Sequence, residues 1–460
     1  MSTLLVLWDE SHLWGLLLAR ALQSLGLQHE FVLGAEIGTR LAGAGKDQPA
    51  MLVVPGGNAR VKALALGPEG RKAIREYVRK GGHYLGFCGG AGLALSWADP
   101  AEHVAKKLAT KTAGVAVSAS AAAEGLALCP WERGHFDERM QHFMSGHLQM
   151  RPALGPPGPE EASAPNLARL VPPNLPKEPL LPVWWPGRFN PRPENGVATL
   201  AAYAQPGPDF WLADLPIASL PPHIFATWES LYGFCITPTY LEGQPCLVHG
   251  QHGAGSYTLS YSHLETPDSP DANLWLVHII KELAGLSSQT SHIPAWEMEG
   301  ELIRWPASPE GDLLEGIESN IAAVAATGLE QGLFFRRNSW LLGWRAGIPG
   351  ANINSLLTAI RVIRRSPACE ASRSFIREHG PQLLQKATLF AGAGQEYLLA
   401  ERLAQTLGKT LPDVIPPTML KEQRAALFGP PMRAGGLFHE LMTPLDRLAY
   451  LQLQNRCCNI

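Results

Sequence analysis

Within the first 95 residues four short apolar runs alternate with stretches of helical period, and nothing else in the chain constrains its fold as much. The runs are "TLLVLWD", "QHEFVL", "PAMLVVPGG" and "HYLGF". The helical stretches are "SHLWGLLLARALQSLG", "GPEGRKAIREYVRKGG" and "AGLALS". Each run has the length and near-continuous apolarity of a strand buried on both faces. Strand alternating with helix calls for an α/β fold, a doubly wound and mostly parallel sheet. In such sheets the reactive crevice opens at the carboxyl ends of the strands. Pro55-Gly56-Gly57 and Cys88 both stand at such ends.

Further along, residues of about 150 to 195 are rich in Pro and read as an excursion from the first domain, unsuited to a regular helix or central strand. Patterning resumes with "PVWWPGRF" and "VATLAAYAQ". "PCLVHGQHGAGSYTLSYSHLET" then reads as two strands joined by a glycine-containing turn, and "NLWLVHIIKELAGL" as a closing helix. Beyond about residue 290 the chain reads as amphipathic helices separated by Pro and Gly. The expected organisation is one α/β domain over 1–288 and a helical domain over 289–460, whose role the sequence leaves open.

Composition removes several classes of function. With 38 basic against 41 acidic residues and no long basic run, nothing favours nucleic acid as a partner. Seven cysteines, odd in number and scattered, suit reduced thiols better than a disulfide framework. The N-terminus reads as a strand, and no apolar stretch reaches spanning length, so a soluble, cytoplasmic protein with no membrane partner is expected. No cofactor and no metal is called for. His135, His142 and His147, near Asp137 and Glu138, follow no standard ligand spacing and read as a loop. His249 and His252 in "HGQHGAG" either line the crevice or belong to a hairpin turn.

The chemistry centres on Gly86-Phe87-Cys88-Gly89-Gly90, a G-x-C-x-G sequence between strand and helix. Glycines flanking a nucleophile at such an elbow avoid clashes with the adjacent strand and helix. The positive end of the following helix favours a thiolate. The N–H of Gly89 and one from the "PGG" turn, most plausibly Gly57, are candidate donors to a developing oxyanion. The alternative is a small apolar cysteine packed among glycines. His263 closes an extended segment, and Glu265 lies two residues on, on the same face, where a carboxylate can orient an imidazole. The alternative there is a surface turn. Asn58 and Arg60 are candidates for holding a substrate carboxylate, or else a helix cap and a surface charge.

In this order and at these intervals, "PGG", "GFCGG" and "SHLE" resemble the class I glutamine amidotransferase-like superfamily over roughly the first 285 residues. "MLVVPGGNARVKALALGPEGRKAIREYVRKGGHYLGFCGGAGLAL", with "PVWWPGRF" and "VATLAAYA", is most similar to the amidotransferase-like domain at the N-terminus of biotin–protein ligases. The resemblance implies Cys88 as nucleophile, His263 as base, Glu265 as its orienter, and Gly57 and Gly89 as oxyanion donors. It also implies amide hydrolysis or amidotransfer on a small-molecule amide, through a thioester. Three departures stand out. Gly92 occupies the place where glutamine amidotransferases usually carry Gln, Leu264 stands where Pro is usual, and the ligase's own adenylate-binding and Lys-Trp-Pro-Asn motifs are absent. The other reading is a non-catalytic ligand-binding or scaffold protein that keeps the fold. Substrate, acceptor and any protein partner stay open.

Overall fold

The computed structural model describes residues 3–43, 48–97, 124–134, 144–152, 167–192, 196–235, 237–296, 305, 307–412, 414–430 and 435–457. His135 and His142, with Asp137 and Glu138, lie outside them, as do residues 153–166 and 193–195 of the Pro-rich excursion.

The alternating N-terminal pattern folds as read. Strands β1 (Leu4–Leu7), β2 (His29–Val32), β3 (Met51–Val54) and β4 (His83–Phe87) alternate with helices α1 (His12–Ser24), α2 (Ile37–Leu41) and α3 (Ala59–Arg79), and α4 (Gly89–Ala94) follows β4. Every side chain of β1 and β3 is buried, which explains why their apolarity is continuous rather than alternating. Helix α3 begins eight residues before the stretch read as helical: Asn58 caps it, and Gly67, at φ 61°, breaks it before Pro68 restarts it.

Strands β5 (Glu132–Arg133), β6 (Met144–Pro152), β7 (Leu180–Trp184), β8 (Phe189–Asn190), β9 (Val197–Leu212) and β10 (Leu215–Pro216) come next. Helix α5 (His223–Tyr232), the hairpin of β11 (Pro245–His252) and β12 (Gly255–Ser260), and helix α6 (Pro270–Ala284) complete this part of the chain. One ten-stranded sheet runs β2-β1-β3-β4-β12-β11-β9-β6-β7, with β10 on β9, while β5 and β8 pair separately. Its β2-to-β12 half is parallel and its remaining half antiparallel. The described ends of the Pro-rich stretch supply part of β6 and all of β7. Strand β7 ends the sheet, where Pro182 removes no needed ladder donor.

Strand β12 lies parallel to β4 and next to it, pairing Ser256 with His83 and Ser260 with Phe87. The chain leaving β12 is therefore carried past the end of β4, and this adjacency builds the site.

Two compact units divide the chain, Met1–Pro294 and Ala295–Ile460. The first extends beyond residue 288 because the segment after α6 returns to it. Ser288 Oγ donates to the Leu25 carbonyl at 2.7 Å, Asp268 N–H to Ile293 at 2.9 Å, and Arg20 Nε to Pro294 at 3.0 Å. The second unit holds α7 (Pro309–Glu330), α8 (Gly350–Arg365), α9 (Glu370–Leu407), α10 (Pro417–Phe428) and α11 (Gly436–Cys457). It also holds a short hairpin that the sequence pattern does not announce, β13 (Phe334–Arg336) with β14 (Leu342–Trp344). Strands of three residues are too short to show a period of two. Inside this unit the buried Glu318 of α7 accepts hydrogen bonds from Arg361 and Arg364 of α8.

Candidate active site

Cys88 sits between β4 and α4 at φ 46° and ψ −103°, a conformation L-residues rarely adopt. Its N–H donates to the Ser260 carbonyl at 2.7 Å, continuing the β4–β12 ladder one residue beyond the strands. Tyr84 pins the other side of the elbow by donating to the Gly90 carbonyl at 2.7 Å. Cys88 is half-buried, whereas Cys129 and Cys246 are buried, and burial pushes both of those thiols up. The accessible thiol of the sheet is thus the one at the strained position.

The "PGG" turn meets the elbow backbone to backbone. Gly57 has φ 117°, and a Cβ there would overlap the Glu10 carbonyl oxygen; a Cβ on Gly89 would overlap the carbonyl oxygen of Gly57. Only glycine fits both positions, so the pairing of the two glycine motifs is steric in origin. The N–H groups of Gly57 and Gly89 have no hydrogen-bond partner among the described residues.

His263 and Glu265 are both fully buried, and His263 Nδ1–H donates to Glu265 Oε1 at 2.7 Å. The turn that carries them is tied down on several sides. His263 N–H donates to the Pro182 carbonyl of β7 at 2.9 Å, and Asn273 of α6 donates to the carbonyls of Leu264 and Thr266 at 3.0 and 2.8 Å. Burial alone would drive the imidazole neutral, but the Glu265 carboxylate outweighs it, and the neighbouring Cys88 side chain adds to the same effect. The His263 pKa is therefore raised. Its Nε2 meets no partner at hydrogen-bonding geometry, while the Cys88 side chain is close enough to act on the charge of the ring.

Two neighbours escape the sequence reading. Trp14, at the start of α1, stacks on the His263 ring with centroids 4.3 Å apart and planes 30° apart. Gly56 forms the floor: a Cβ there would lie 2.8 Å from His263 Cε1 and 2.9 Å from Trp14 Cγ. Trp14 follows the carboxyl end of β1, and the strand-end rule that singled out "PGG" and Cys88 would have included it. Nearby, the fully buried Lys62 donates to the Asp9 carbonyl at 2.6 Å and Ser11 Oγ at 2.7 Å, bracing the β1 loop against α3.

Asn58 is exposed, and its side-chain oxygen accepts from the N–H groups of Arg60 and Val61 at 3.0 and 3.3 Å, capping α3. Arg60 is exposed. Gly92, on α4, has its nearest neighbour, Ala59 Cβ, 3.6 Å from where a Cβ would stand. His249 lies mid-strand in β11 rather than in the crevice, and the hairpin turn is made by Gly253 and Ala254. His147 of β6 contacts Ser269 Oγ at 3.0 Å and Asp209 at 3.4 Å. Among the described residues no three His, Cys, Asp or Glu side chains gather as a metal site. No described helix is long and apolar enough to cross a membrane.

Residues 44–98 match the family model described as the biotin-protein ligase N-terminal domain, a span that holds "PGG", α3, β4 and the elbow. No curated protein matches the chain at a significant level. Among solved structures, a Thermoplasma acidophilum protein named for a component of GMP synthase is 13% identical over 62% of this chain and 95% of its own, with a TM-score of 0.33. A cytoplasmic protein of Salmonella typhimurium is 12% identical over 62% and 99%, with a TM-score of 0.31. A β-galactosidase from Bacillus circulans is 10% identical over 62% and 32%, with a TM-score of 0.32. Likenesses this distant say nothing of chemistry. The residues establish an α/β unit on a mixed sheet, with a stretch that matches the biotin-protein ligase N-terminal model across β3 and β4, and a helical C-terminal unit.

Proposed function

We propose that this protein is a cysteine-dependent amidase or amidotransferase acting on a small-molecule amide. The observation that carries the reading is the pairing, on adjacent strands, of a strained and accessible Cys88 with a buried His263–Glu265 pair. In this reading His263 takes the Cys88 proton and the thiolate attacks the amide carbonyl carbon. The carbonyl π-electrons move onto oxygen, where the N–H groups of Gly57 and Gly89 receive the charge. Collapse of the tetrahedral species breaks the C–N bond. The His263 imidazolium protonates the leaving amine, giving a thioester and free amine. Water, deprotonated by His263, then attacks the thioester and returns the thiol and a carboxylic acid. Glu265 holds the ring orientation and stabilises the imidazolium. With Gly92 where glutamine amidotransferases carry Gln, and with Asn58 engaged as a cap, glutamine is not the amide these residues single out.

The test is the rate of Cys88 alkylation against pH, in the parent and in His263→Ala, with Cys88→Ala to subtract the half-buried Cys369. The reading expects a midpoint clearly below the ~8.5 of a free thiol, moving up by at least ~1 unit in His263→Ala. A midpoint indifferent to His263 would sink it in favour of a ligand-binding protein that keeps the fold.

A further inference from the structure

The parallel strands also have amino ends, and there β4, β12 and β11, with Arg169, Leu170 and α6, line a partly open cavity of about 130 Å³, room for roughly four waters or one small ligand. His83 opens β4 and Ser256 lies at the start of β12, so the cavity stands five residues, about 16 Å of extended strand, from Cys88. Its polar lining is His83, Arg169, His249, Gln251 and Ser256, with Leu170 and Leu283 as apolar wall. Among the described residues no carboxylate lines it.

The lining is held in place. His83 Nδ1 pairs with Ser256 Oγ at 2.8 Å, and the buried His249 Nδ1 pairs with Thr258 Oγ1 at 2.9 Å. Arg169 sits on a short 3-10 turn, Leu167–Leu170, fastened to α6 by His278 on the Arg169 carbonyl and Trp275 Nε1 on the Leu170 carbonyl. Arg169 is exposed and lines the cavity, and its planar guanidinium is a fork of donors with no acceptor of its own.

We propose that this cavity is a binding site for a compact oxyanion, a phosphate ion or the phosphoryl group of a small ester. The guanidinium supplies the charge, the two imidazoles and the Gln251 amide supply further donors, and no carboxylate among the described residues stands in the lining to compete. A metal cation is disfavoured by the same guanidinium. Two consequences of the geometry agree. Burial first, and then the charge of Arg169, push the pKa of His83 down; for His249, burial is followed by His83 and Arg169, and its pKa falls to about 4. Those are the titratable and charged groups that act on His249, from β4 and the 3-10 turn, and both repel a proton. An anion in the cavity offsets that repulsion, so binding and protonation of the imidazoles reinforce each other. The site is independent of the reaction proposed for Cys88.

Isothermal titration of the full-length protein with inorganic phosphate, and separately with glycerol phosphate, tests this. Saturable binding is expected, weakened at least tenfold by Arg169→Ala and by His249→Gln, and unchanged by Arg40→Ala, an exposed arginine on α2. Because Arg169 is exposed, its removal leaves the packed core intact. Tighter binding of the ester assigns the site to a phosphorylated metabolite, and equal or weaker binding to the free ion. No saturable heat with either probe, or the same affinity in Arg169→Ala, overturns the proposal.

Discussion

His263 is gripped by Glu265 at Nδ1, covered by Trp14 on one face and floored by Gly56, and each contact acts on its charge. The carboxylate stabilises the imidazolium directly. The indole face does so through its quadrupole, an effect worth ~0.5–2 kcal/mol for a desolvated cation. If imidazolium and thiolate form together, removing the indole destabilises both. Trp14→Ala is therefore expected to raise the midpoint of Cys88 alkylation by about half to one unit, while Trp14→Phe, which keeps a ring face, moves it by less. Equal midpoints in Trp14→Ala and the parent would show that the stack only packs. Cys88, His263 and Glu265 are legible in the sequence because their pattern is local: glycines around a cysteine, and a carboxylate two residues from a histidine. Trp14 carries only the weaker signal of its place after the carboxyl end of β1, since a tryptophan opening a leucine-rich helix otherwise looks like any core residue.

At the scale of the element, the elbow joins β4 to α4 through a residue at φ 46°, and strain of this kind costs about 1–3 kcal/mol for a side chain with a Cβ. Glycine relieves it, although glycine also adds about 0.5–1 kcal/mol of unfolded-state freedom. Cys88→Gly should accordingly be more stable than Cys88→Ala by ~1 kcal/mol in urea unfolding, the reverse of the ordinary order of these residues. A Cys88→Gly protein less stable than Cys88→Ala would show that the elbow is unstrained. The strand–helix alternation that builds this turn can be read from apolar periodicity because β1, β3 and β4 are nearly fully buried. Periodicity does not report pairing. That β12 lies beside β4, that β7 reaches back to hold His263, and that a Pro-rich stretch contributes the edge of the sheet depend on contacts well beyond any local window, from Gln149 with Leu180 to His83 with Ser256. The hairpin of β13 and β14 escapes for a simpler reason, because Asn354 of α8 holds Leu342 N–H and no run of alternating residues announces it.

Across the whole first unit, both ends of the parallel strands carry histidines, and their environments oppose each other. At the carboxyl end a carboxylate raises His263; at the amino end burial and an arginine lower His83 and His249. The second case has a consequence for stability. His249 titrates near 6.5 when unfolded and at about 4 when folded, so above pH 6.5 neither state holds the proton and stability does not depend on it. As pH falls from 6.5 towards 4 the unfolded state gains a proton that the folded state refuses. Stability then declines by up to ~1.4 kcal/mol per unit, reaching roughly 3 kcal/mol by pH 4. Carboxylates also protonate in this window, so the parent alone is uninformative. In His249→Gln the histidine contribution vanishes while theirs remains. The difference in urea-unfolding free energy between parent and His249→Gln should therefore shrink, and then move in favour of the variant, between pH 7 and pH 4.5. A difference that stays constant across that range would mean that His249 takes up its proton without unfolding the sheet end it occupies. Added phosphate should reduce the acid loss in the parent and leave Arg169→Ala unaffected, which joins the stability of this end of the sheet to its proposed ligand.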